Sequence, residues 1–326
     1  MRKDLPQVSH ATVLSCASYM AEVSLPALTR SRIALSADRY LEEKKATING
    51  YLERLLTERY PTTDARTRTL SESISYSLMN GGKRIRPILT LVICERYGRK
   101  DDEALAIACA TELIHTASLM LDDLPSMDNA TQRRGKPANH IVYGESTTIL
   151  AAVALWSEAI RLLSMISGLE MREIVRDTAE SIGGHGLARG QFLDLDSAHP
   201  PRTVQDLEEY YYLKTGVLFK HAMKIGALLG QAPQVEQALF EKVGGDIGLI
   251  FQIRDDILDA VSTQEMLGKD AGSDERNGRT TYASLLGVAG AKRALEEKIE
   301  AVCTDLGRLP FASDVLTSVV RGLRVG

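Results

Sequence analysis

The chain has 326 residues, 44% hydrophobic and 25% charged, with 25 Gly and 10 Pro, a balance that excludes long disorder, collagen and low-complexity fibres. Its formal charge of −4 comes without a Lys/Arg block, which argues against a nucleic-acid partner. The longest clean apolar run, Ile149 to Trp156, has eight residues, short of the roughly 18 that a membrane span needs, so no transmembrane segment is expected.

Residues 1–36 hold six Ser and only two acids, Asp4 and Glu22, with Arg2 and Lys3 but no continuous apolar stretch. They are expected to be a loose extension or a transit peptide and not a secretory signal. The location expected is cytoplasmic, with an organelle as the alternative. From residue 37 to 326 the pattern predicts one helical domain. Apolar residues recur at three and four spacing in Ile74–Leu78, Ile107–Ala110–Leu113–Ile114, Ile149–Val153–Trp156–Ile160, Leu218–Ala222–Ile225–Leu229 and from Leu285 onward. Breaks fall at Pro61, Asn80-Gly81-Gly82, Gly98, Pro125, Gly183-Gly184, Pro200-Pro201, Gly230 and Gly268–Gly278. Strand signals are scarce, so the fold class is all-α. Cys16, Cys94, Cys109 and Cys303 are scattered without a C-x-x-C pair and suit reduced thiols.

Two acidic clusters interrupt apolar helices. Asp122, Asp123 and Asp128 follow the helix that carries Ala117 to Leu121, and Asp255, Asp256 and Asp259 lie within Ile247–Val261. Asp255 and Asp259 are four apart and share a helical face. Asp122 and Asp128 are six apart, about 240° around a continuous helix, but Pro125 breaks it and lets Asp128 fold back. Carboxylates on apolar helices repel one another and are costly to bury without a counter-charge. All-oxygen ligands indicate a hard cation, and Mg²⁺ takes one or two carboxylates plus substrate phosphates. A solvated acidic patch is the alternative for either cluster alone. The six His lack the spacing of a zinc site.

Basic residues answer these acids. Gly81-Gly82-Lys83-Arg84-Ile85-Arg86-Pro87 joins a loop to a helix start, where glycines permit close backbone approach and amides favour anions. Arg133-Arg134-Gly135 follows Asp128, and adjacent arginines point in different directions, one toward each of two diphosphates. Lys214-Thr215 and Lys269 complete the set. His115, two turns before Asp122, is either a satisfied core histidine or a phosphate donor.

From Tyr40 to Leu286 these residues together resemble the trans-prenyltransferases, the isoprenyl diphosphate synthase or polyprenyl synthetase family. Gly82–Pro87 looks like its isopentenyl diphosphate motif. Asp122–Asp128 with Arg133-Arg134-Gly135 looks like its first Asp-rich motif. Lys214-Thr215, Phe251-Gln252 and Asp255-Asp256-x-x-Asp259 look like the second half of the site. Ala117–Leu121 and Leu150–Leu155 are most similar to bacterial geranylgeranyl diphosphate synthases. The chain departs from the pattern at Ala130-Thr131, at Leu213 and at Ser273.

The resemblance implies a helical bundle of the isoprenoid synthase type around a central active-site cavity, assembled as a homodimer. Gly82, Lys83, Arg86, His115 and Arg134 would hold isopentenyl diphosphate, and Arg133, Lys214, Thr215, Gln252 and Lys269 an allylic diphosphate. Asp122, Asp128 and Asp255 would bind Mg²⁺, with Asp123, Asp256 and Asp259 in support. About three Mg²⁺ ions would stabilise the charge that develops on departing diphosphate. The product expected is geranylgeranyl diphosphate, with farnesyl diphosphate as the alternative. Small residues at Ala117 and Ser118 would let the growing tail pass toward Ile114 or Trp156. A silent subunit of a heteromeric synthase would carry degraded Asp motifs, and both motifs are intact here.

Overall fold

A computed structural model describes residues 27–261 and 279–325, apart from 167, 169, 197 and 312, with side chains from residue 37 onward. The expected extension therefore lies largely outside the described residues, as do Lys269 and Ser273. Among the described residues the helices are α1 (Ala27–Arg59), α2 (Arg68–Met79), α3 (Ile85–Arg96), α4 (Asp102–Asp122), α5 (Asn139–Tyr143), α6 (Glu145–Leu163), α7 (Glu170–Ile182) and α8 (Leu187–Leu195). They continue with α9 (Val204–Tyr211), α10 (Val217–Leu229), α11 (Gln234–Val261), α12 (Tyr282–Leu306) and α13 (Asp314–Arg321). The all-α expectation is met.

The arrangement follows from α4. Asp101 caps it by accepting the Ala104 N–H, and Asp102 and Glu103 oppose the helix dipole in its first turn. Its apolar residues nearly encircle it, so that everything from Ala104 to Ile114 is buried. A helix apolar all round belongs in the interior. Around α4 pack α6, α3, α1 and α10, forming one hydrophobic core. A second core lies among α10, α11, α12 and α13, and α3 and α10 contribute to both. The two acidic clusters, at the end of α4 and within α11, are thus brought to the seam between the cores.

By length and composition α4 and α6 are apolar enough to cross a membrane, which counting uninterrupted apolar residues had not shown. In the fold α4 is covered by its neighbours. Helix α6 packs one face on α4 and leaves Leu150, Val153 and Ile160 exposed.

One small strand pair was not foreseen. Gln132–Arg133 and Lys136–Pro137 form a two-residue antiparallel ribbon. Its turn places Arg134 and Gly135 at φ of 54° and 73°, the left-handed pair that suits a tight hairpin. The ribbon sends Arg133 and Arg134 in different directions.

Between α9 and α10 the chain makes a single π-helical turn, Tyr212–Gly216, which carries Lys214 and Thr215. Such turns are frequent at functional sites. Glycines let α11 approach it closely: a Cβ on Gly248 would lie 2.3 Å from the Gly216 Cα. Gly248→Ala is therefore expected to push the turn away. The predicted result is a loss of about 1–3 kcal/mol of stability from overpacking. A melting curve checks it.

Candidate active site

A cavity of ≈ 1080 Å³ opens at the seam. One wall is the Gly81–Arg86 loop and the C-terminal half of α4, through His115, Ser118, Leu119 and Asp122. Opposite stand Lys214 and Thr215 of the π turn, Phe219 of α10, and Phe251, Gln252 and Asp255 of α11. Asp128, Arg133, Arg134, Arg254 and Arg279 also line it.

Helix α4 ends at Asp122, and the chain turns through Pro125 so that the Asp128 N–H donates to the Asp122 carbonyl at 2.8 Å. The fold-back expected from the proline is present. The acids are not equivalent. Burial, followed by the charge of Asp128 working against the pull of Lys214, pushes the Asp122 carboxyl up to about 7. Burial acts to raise Asp128 as well, but Lys214 and Arg279 outweigh it and hold that carboxyl below the ordinary range. Asp123 is 3% exposed and accepts from Arg133 Nε at 3.0 Å, so it stands behind the cavity wall. Asp256, at the cavity edge, accepts from the Tyr211 hydroxyl and the Tyr282 N–H, both at 2.7 Å, and ties α9, α11 and α12 together. Asp259 is buried off the cavity wall, and its Oδ1 has no hydrogen-bond partner among the described residues. The carboxylates of Asp123 and Asp256 are thus already committed to neighbouring donors.

The basic residues divide by wall. Arg86 stacks over the Phe219 ring at 4.1 Å, and burial pushes its guanidinium down to about 10. Burial and the nearby Arg86 hold His115 in its neutral form, able to donate one ring N–H. Arg134 donates to the Gly81 carbonyl at 3.0 Å and packs where a Gly82 Cβ would sit; Gly82 itself has φ of 110°, a conformation glycine tolerates. Across the cavity Thr215 donates to Gln252 Oε1 at 2.8 Å.

Three residues escaped sequence reasoning. Arg84 belongs to the basic motif but points inward, 2% exposed in its side chain, and pairs with Glu112 at 2.6 Å. It adopts φ of 54° at the start of α3, and only the backbone path reveals which of the adjacent cations faces inward. Arg279 reaches Asp128 at 2.7 Å and Asp194 at 2.9 Å, and neither it nor Asp194 sits at a telling spacing. Of the two small residues expected along the tail's path, Ala117 is fully buried in the first core and Ser118 is on the cavity wall, since five residues before Asp122 is about 140° away around the helix.

Two acid-bearing helices facing one cavity, with separate cation sets on its walls, match the order of motifs in the sequence. Residues 67–309 as a whole match the profile of the polyprenyl synthetase family. The chain belongs to the polyprenyl synthetase family. This family member is similar to the farnesyl diphosphate synthase of Bacillus subtilis (strain 168), at 36% identity over 85% of this chain and 94% of the relative. It is also similar to the geranylgeranyl diphosphate synthase of Cyanophora paradoxa, at 40% identity over 80% of this chain and 87% of the relative. Among solved structures it resembles the geranyltransferase of Helicobacter pylori complexed with magnesium and isoprenyl diphosphate. That likeness has a TM-score of 0.74 at 27% identity, covering 87% of this chain and 96% of the other.

The polyprenyl synthetase site fits a hard divalent cation by its donors. Asp122, Asp128 and Asp255 offer only carboxylate oxygens. Among the described residues no three His, Cys, Asp or Glu side chains close a metal site by themselves. A cation here needs further oxygen ligands, as from substrate phosphates.

Proposed function

We propose that this chain joins isopentenyl diphosphate to an allylic diphosphate, elongates the product to geranylgeranyl diphosphate and releases diphosphate. The observation that carries this reading is the pairing of two cation sets with two acid clusters around one cavity. Lys83, Arg86, His115 and Arg134 would receive isopentenyl diphosphate on one wall. Lys214, Thr215 and Arg279 would receive the allylic diphosphate on the other, with Arg133 holding Asp123 behind Asp122.

Asp122, Asp128 and Asp255 would hold Mg²⁺, which when bound neutralises charge on the leaving diphosphate. The allylic C–O bond breaks and its electron pair leaves with diphosphate. A new C–C bond then forms from the isopentenyl double bond, and the proton lost from that unit passes to the released diphosphate. Lys214 and Arg279 would stabilise the departing anion. The oxygens of Thr215 and Gln252 and the face of Phe251, all on the cavity wall, would stabilise the allylic cation.

The two subsites can be told apart. Lys83→Ala and Arg86→Ala are expected to raise the KM for isopentenyl diphosphate about tenfold or more, from the loss of one charge-assisted contact each, and the allylic KM much less. Steady-state kinetics with each substrate varied decides it; selective loss of allylic affinity would show the walls assigned the wrong way round.

We also infer a homodimer through the face formed by Ile141 and Val142 of α5 and Leu150, Val153 and Ile160 of α6, all exposed apolar side chains. Light scattering from the purified chain tests it.

A further inference from the structure

Resting on the proposed diphosphate chemistry, we infer that Asp194 is a positioning residue that holds Lys214 and Arg279 as a fixed pair for the allylic diphosphate. Asp194 lies in the last turn of α8, and its side chain is 2% exposed. Three donors from three segments converge on it: the Tyr210 hydroxyl from α9, the Lys214 ammonium from the π turn, and Arg279 Nη2 at 2.9 Å from the segment before α12.

A carboxylate this deeply buried is costly unless paired and hydrogen-bonded, and these donors meet that condition. The arrangement also restrains the cations. Lys214 and Arg279 both face the α4 acids: Arg279 already touches Asp128 at 2.7 Å, and the charge of Lys214 acts on Asp122 and Asp128. Released from Asp194, both would settle on those carboxylates, cancelling the cations that a diphosphate needs and the anions that a metal needs. Anchored on Asp194, the ammonium commits one of its three donors and stays at a set distance from the guanidinium. A diphosphate then meets two cations already in place, and the ordering cost of binding falls. Gly190, one turn earlier in α8, keeps this geometry close, since a Cβ there would lie 2.6 Å from the Lys214 backbone nitrogen.

The test is calorimetric titration of the full chain with inorganic diphosphate in EDTA, which needs neither turnover nor metal. It compares wild type, Asp194→Asn, Lys214→Gln/Arg279→Gln and the triple variant. Asp194→Asn makes the cavity more positive by one charge, so charge balance alone would tighten anion binding. Positioning predicts the opposite, a loss of about tenfold or more, and no further loss when Asp194→Asn is added to the variant lacking both cations. Unchanged or tighter binding by Asp194→Asn overturns the inference, as does an undiminished loss in the triple variant. If Asp194→Asn does not fold, Asp194→Glu keeps the charge but moves it by one methylene: weakened binding supports positioning, and wild-type affinity overturns it. A wild-type chain that binds no diphosphate would overturn the proposed function as well, whereas binding by wild type that is indifferent to Asp194 overturns this inference alone.

Discussion

Asp122→Asn is expected to abolish prenyl transfer while raising the Tm of the metal-free chain at pH 8. Both effects have one cause. The Asp122 carboxyl titrates at about 7 in the fold against an ordinary 3.8, mainly because it is buried beside Asp128. Between those two values the folded chain holds a proton that the unfolded chain has released, so stability falls as pH rises through about 7. Asparagine carries no charge and escapes that cost. The Tm advantage of the variant should be largest at pH 8, shrink as pH falls through about 7 and vanish below about pH 4. Activity should drop by about a thousandfold or more, because a neutral amide cannot hold a cation against the developing diphosphate charge. Thermal melts in EDTA at several pH values and a diphosphate-release assay check the two halves. A variant with wild-type activity, or one whose Tm difference is the same at pH 5 and pH 8, contradicts the assignment.

The second large effect concerns product length. On the proposed function the tail would grow from the acid cluster down α4, and Ser118 is one turn below Asp122, on the cavity wall, its hydroxyl donating to the His115 carbonyl at 2.9 Å. One helical turn is about 5.4 Å, near the length that one isoprene unit adds. If the product is the proposed geranylgeranyl diphosphate, Ser118→Phe is therefore expected to shorten it to farnesyl diphosphate with excess isopentenyl diphosphate. Ala117→Phe is a different experiment. Ala117 is packed in the first core against its neighbours, so a phenyl ring there should cost about 1–3 kcal/mol of stability by overpacking. Chromatography of the dephosphorylated products, beside melts of both variants, tests the distinction. Unchanged product from an active, folded Ser118→Phe variant would place the floor of the pocket elsewhere.

The fold was legible wherever local rules dominate. Helix α4 announces itself by its apolar periodicity, and Pro125 foretells the turn that brings Asp128 back to Asp122. The candidate site was legible where residues cluster along the chain. What escaped depends on distance in sequence or on backbone path. Arg279 and Asp128 are 151 residues apart and meet only because α11 and α12 return past the end of α4. Asp194 is an unremarkable acid until three donors fold onto it. Arg84 and Arg86 differ by two positions, yet Arg84 is locked to Glu112 and Arg86 stacks on Phe219, and the left-handed φ at Arg84 sets the start of α3. The strand pair at 132–137 rests on positive φ at an arginine, which propensity disfavours and which the hairpin imposes.

The most direct test of the central claim is to incubate the purified chain with isopentenyl diphosphate and farnesyl diphosphate, with Mg²⁺ or with EDTA, and to identify the prenyl product and measure released diphosphate. Geranylgeranyl diphosphate and an equal amount of diphosphate, formed with Mg²⁺ and absent in EDTA, is the expected result. A folded chain that forms no condensation product, or forms it equally well in EDTA, would contradict a metal-assisted prenyl transfer at this cavity.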